Sequence, residues 1–119
     1  MLHERRFFHC SEVETAELLA EWLTERTWTT CSAFYLRGRG DVVFANDSTS
    51  ADGAQEYAVF VRAGNRWRQV ESIAFGWCTH EEALGYIRRA LAGEMTEFAV
   101  DVEPRFETSE EHRGRACCA

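Results

Sequence analysis

Trp67, Gln69, Glu71, Phe75 and Trp77 are the first candidates for chemistry, because they share one short run of the chain. From Arg66 to Cys78 the residues alternate. Trp67, Gln69, Glu71, Ile73, Phe75 and Trp77 fall on one face of an extended segment, and Arg68, Val70, Ser72, Ala74, Gly76 and Cys78 on the other. Gln69 and Glu71 interrupt an aromatic face at mid-strand, where polar side chains are depleted. A carboxylate set among large apolar residues can hold a ligand or act as a general acid or base. The same glutamate also fits a cross-strand pair with an arginine, worth ~0.2–1 kcal/mol. Spacing ties no second carboxylate or histidine to it, so no catalytic residue is assigned.

Arg37, Arg39, Arg62 and Arg66 are the second candidate set. They flank two hairpin turns, Gly38-Arg39-Gly40 and Ala63-Gly64-Asn65. Alternate turns of an antiparallel meander fall at the same end of a sheet, so the four guanidinium groups could converge on an anion. Solvated charges that protect strand edges from aggregation are the preferred account of them.

Weaker constellations end sooner. Cys78-Thr79-His80 puts a thiol beside a helix start, where a Cys–His nucleophile pair is conceivable, but a cysteine on the small face of a strand is an ordinary packing residue. His112 with Cys117 and Cys118 lacks the spacing of a tetrahedral zinc site. Asp47–Gly53 resembles a calcium loop without its first Asp and last Glu. The chain contains no glycine-rich phosphate loop, no Gly-x-Ser-x-Gly and no His-Glu-x-x-His, so no metal or other cofactor is expected.

The elements that position these residues follow from periodicity. An apolar run over residues 5–9 reads as a strand. Ser11 and Glu14 make a capping box, and Val13, Ala16, Leu19, Ala20 and Leu23 continue at helical spacing to about Arg26. The outer side of this helix carries Glu14, Glu17, Glu21 and Glu25. Residues 28–36, 41–47, 55–62 and 66–78 read as four consecutive strands joined by short links, which favours antiparallel pairing. Thr79 with Glu82 caps a second helix whose stripe of Ala83, Leu84, Ile87, Ala90 and Leu91 stops at Gly93. Residues 95–102 alternate as a last strand, and Pro104 ends the regular structure.

The expected fold is therefore α+β: a central, mostly antiparallel sheet of five to six strands in the order β-α-β-β-β-β-α-β. Both helices should lie on one face, over Val70, Ser72, Ala74 and Gly76. Residues 1–103 form one domain and 104–119 a polar tail. The chain's 119 residues suit a single core.

Composition narrows the function classes. All 13 basic residues are Arg, which reads as GC-rich coding and points to a bacterial source. The net charge of −7 divides as −3 over residues 1–27, zero over 28–78 and −4 over 79–119, which argues against binding a phosphate backbone. No run approaches a membrane span, the N-terminus lacks a secretory pattern, and five cysteines without framework spacing suit a reducing compartment, so a cytoplasmic location is expected. Aromatic residues make up 13% of the chain, enough that some rings are expected to meet a ligand, a partner or solvent.

Two helices cover one side of such a sheet. The expected function is thus a binding or accessory module that self-associates, as a homodimer or larger homo-oligomer, through the aromatic face of Phe75 and Trp77. Two alternatives stand beside it: an acidic inhibitor or immunity-type protein whose glutamate row meets a basic partner, and a small enzyme using Glu71.

Overall fold

The computed structural model describes residues 4–25, 32–49, 55–95 and 102–107. β1 (Glu4–Val13) leads into α1 (Ala16–Thr24), followed by β2 (Ser32–Leu36), β3 (Val42–Thr49), β4 (Gln55–Ala63) and β5 (Arg66–Ala74). A single 3-10 turn over Phe75–Trp77 precedes α2 (His80–Leu91), and β6 (Val102–Glu107) follows. All six strands join one sheet in the order β5-β4-β3-β2-β1-β6. β2 to β5 pair antiparallel, while β1 lies parallel to both β2 and β6. Sequence-adjacent parallel neighbours need a crossover, and α1 supplies it between β1 and β2; α2 lies in the connection that carries the chain from β5 at one edge of the sheet to β6 at the other.

Both helices pack on the same face. Leu19, Ala20 and Leu23 of α1 and Ala83, Ile87 and Ala90 of α2 enter one core with Val13, Phe34, Phe44, Tyr57, Val59 and Ile73 of the sheet. The aromatic rings concentrate there. Trp22 stands edge-on to Phe34 at 5.3 Å between centroids, Phe34 meets Tyr57 at 6.2 Å, Tyr57 meets Phe75 at 5.9 Å, and Phe75 meets Tyr86 at 6.2 Å. The aromatic excess thus links α1, the sheet and α2 through three edge-to-face contacts and one tilted one, between Phe34 and Tyr57.

α2 follows its sequence signals closely. Thr79 Oγ1 accepts from the Glu82 N–H at 3.1 Å, and Glu82 Oε1 accepts from the Thr79 N–H at 3.0 Å. At the other end Gly93, at φ +76°, donates to the Ala90 carbonyl while Glu94 donates to that of Arg89, the pattern of a Schellman cap.

α1 starts later than its capping box predicts. Ser11 pairs with Phe34 inside β1, and Thr15 takes the cap by accepting from the Leu18 N–H at 3.1 Å. Val13 enters the core from the strand rather than from the helix. Strand pairing satisfies the backbone of residues 11–13, and Thr15 offers an equally good cap four residues on.

β5 departs furthest from the expected alternation. Val59 pairs with Glu71 and Phe60 with Gln69, which leaves Val70 unmatched in a β-bulge. Two residues of β5 oppose one gap of β4, so the faces exchange at that point. Trp67 and Gln69 lie on the face away from the helices, with Phe60 and Arg62. Val70, Glu71 and Ile73 lie on the helix side. The strand then stops at Ala74 rather than reaching Cys78. Ser72, Ala74 and Gly76 therefore do not underlie the helices as expected; of the predicted floor only Val70 does, and Ile73 and Phe75 occupy the rest.

Residues 28–31 of the expected second strand and 96–101 of the expected last strand lie outside the described residues. β6 runs through Pro104, which pairs with Arg6, so Pro104 does not end the regular structure. An edge strand tolerates the missing N–H of a proline.

Candidate functional site

The bulge divides the five residues expected to share a ligand face. Trp67 is half-buried against the helix-free cluster of Cys10, Ala33, Val43, Ala45, Ala58 and Phe60, with the Arg62 guanidinium 5.6 Å from its ring centroid. Gln69 is 6% exposed and donates to Ser72 Oγ at 2.8 Å, so its amide bridges the residues flanking the bulge. Glu71 sits on the opposite face, half-buried, with one carboxylate oxygen buried and without a hydrogen-bond partner. Phe75 is fully buried among Phe44, Tyr57 and Tyr86. Trp77 is 57% exposed and is the one large exposed hydrophobic among the described residues. The five do not form one surface, and a shared aromatic face with Phe75 at an interface is excluded by that ring's position.

The arginine set does converge on one end of the sheet, as the meander rule predicts. The Arg62 N–H donates to the Asp41 carbonyl at 2.8 Å, tying the two hairpin turns together. Acidic partners meet the side chains there. Arg37 Nε lies 3.0 Å from Glu12 Oε1, and its Nη2 lies 3.8 Å from Glu14 Oε1. Arg39 pairs with Asp41 at 3.1 Å and donates to the Leu91 carbonyl at 2.8 Å, fastening the end of α2 to this turn. The bond from Arg39 holds the Asp41 carboxyl below the usual carboxylate range. Arg62 Nε donates to the Gly64 carbonyl at 3.3 Å, and Arg66 is exposed. Carboxylates already neutralise Arg37 and Arg39, which lowers the pull of this end on an external anion.

Cys78 lies just before the N-cap of α2. Burial pushes its thiol up, and the nearby Glu82 carboxylate pushes it further in the same direction, opposite to what a nucleophile needs. His80 is exposed in the first turn of α2. Among the described residues no group of three or more His, Cys, Asp or Glu could hold a metal ion. His112, Cys117 and Cys118 lie outside them.

Sequence reasoning did not single out one polar pair. Asn46 and Tyr57 oppose each other on β3 and β4, both fully buried. Asn46 Nδ2 donates to Gln55 Oε1, while Asn46 Oδ1 and the Tyr57 hydroxyl have no hydrogen-bond partner. Burial pushes the Tyr57 hydroxyl up to about 12, with the Asn46 amide opposing the shift. Tyrosine at an inward strand position was the available signal, since its hydroxyl must end somewhere in the core.

Of the four glutamates expected on the outer side of the first helix, Glu17 and Glu21 lie within α1, Glu14 precedes its N-cap and Glu25 is its C-cap. Glu14, Glu17, Glu21 and Glu25 are all exposed, and Leu19, Ala20 and Leu23 on the other side of α1 are fully buried. α1 itself carries no basic residue. Glu14 is engaged by Arg37, whereas Glu17 and Glu21 form no ion pair among the described residues. No helix among the described residues is long and apolar enough to cross a membrane. No protein-family model matches the chain, and no curated protein or solved structure matches it either.

Proposed function

We propose that this chain is a binding module that docks a basic protein partner on the outer face of α1, in the manner of an inhibitor or immunity-type protein. One observation carries this reading: two exposed glutamates, Glu17 and Glu21, on a helix without basic residues, continued by exposed Glu14 before it and Glu25 at its C-cap and backed by a fully buried opposite stripe. A rigidly seated row of like charge gives a field that steers an oppositely charged surface and fixes its register. The overall charge of −7 adds to that field.

The test is reconstitution. Proteins captured from an extract of the source cell are made recombinantly and titrated against the chain and against Glu17→Arg/Glu21→Arg. A basic partner is expected, binding more weakly as salt rises, with affinity lowered about tenfold or more by the double reversal. A partner whose affinity ignores both salt and the reversal refutes the proposal.

A further inference from the structure

We draw no further inference here: the strongest candidate, the row of small side chains Cys10, Ala33, Ala45 and Ala58 that the strand register aligns across β1 to β4 on the helix-free face of the sheet, is a buried apolar stripe, and nothing among the described residues shows what covers it.

Discussion

Replacing Phe75 and Trp77 one at a time by alanine separates the observed facing of this segment from the one that simple alternation predicts. Phe75 is fully buried and meets Phe44, Tyr57 and Tyr86 edge-on with centroids 5.9, 5.9 and 6.2 Å away. Truncating a buried phenylalanine costs ~3–5 kcal/mol, and three edge contacts put this one in the upper half of that range. A chain of 119 residues has a total stability of roughly 6–18 kcal/mol at ordinary values per residue, so Phe75→Ala removes about a fifth of it or more. Trp77 keeps 57% of its surface in water, and Trp77→Ala is expected to cost under ~1 kcal/mol. Urea unfolding followed by far-UV circular dichroism measures both, with unchanged m-values as the check that the denatured state is comparable. Phe75→Leu should recover about half of the loss. Equal costs at the two positions, or a larger one at Trp77, would refute the placement of Phe75 in the helix-side core.

Two further outcomes are expected. The Tyr57 hydroxyl is raised to about 12 by burial against an ordinary value near ~10, so the unfolded chain loses this proton first. Stability tied to it is complete below pH ~10 and is lost as the pH rises through about 12, with a slope of at most ~1.4 kcal/mol per pH unit. Tyr57→Phe should flatten that alkaline slope and, because the hydroxyl has no partner, leave stability at pH 7 unchanged or up to ~1 kcal/mol higher. A loss beyond ~1.5 kcal/mol at pH 7 would mean the hydroxyl is hydrogen-bonded to the Asn46 amide after all. At α2, Thr79→Ala removes the cap that accepts from the Glu82 N–H and should cost ~1 kcal/mol, read as a shift in the urea midpoint.

Where a structural signal is local, the sequence carries it; where it depends on a partner strand, it does not. The Thr79 capping box and the Gly93 terminus involve residues within a few positions of each other, and both appear as read. Ser11 and Glu14 have the same local form, yet pairing of Ser11 with Phe34 some twenty residues away takes Ser11 into β1, and Thr15 caps the helix instead. Tertiary pairing outweighs a cap worth ~1 kcal/mol because it satisfies several backbone groups at once. The bulge at Val70 is the costliest case for reading by alternation. One unmatched residue sends Glu71 and Ile73 to the helix side while Trp67 and Gln69 stay on the other. Gly76 was the readable warning, since a glycine inside a long strand pattern marks a break, and the strand does end two residues before it.

The bulge and the turn together decide where the large rings of this segment end up. With uninterrupted alternation, Phe75 and Trp77 would stand side by side on a helix-free face, and covering that face would require a second sheet. With the bulge and the early stop at Ala74, Phe75 becomes the ring that joins β3, β4 and α2, and Trp77 is carried around the end of the sheet to the side where α1 packs. The apolar demand for a self-paired sheet face falls accordingly, since its largest ring is already covered within the chain. Among the described residues the one large apolar side chain left in solvent is the Trp77 indole, so no continuous aromatic face remains to call for a second sheet.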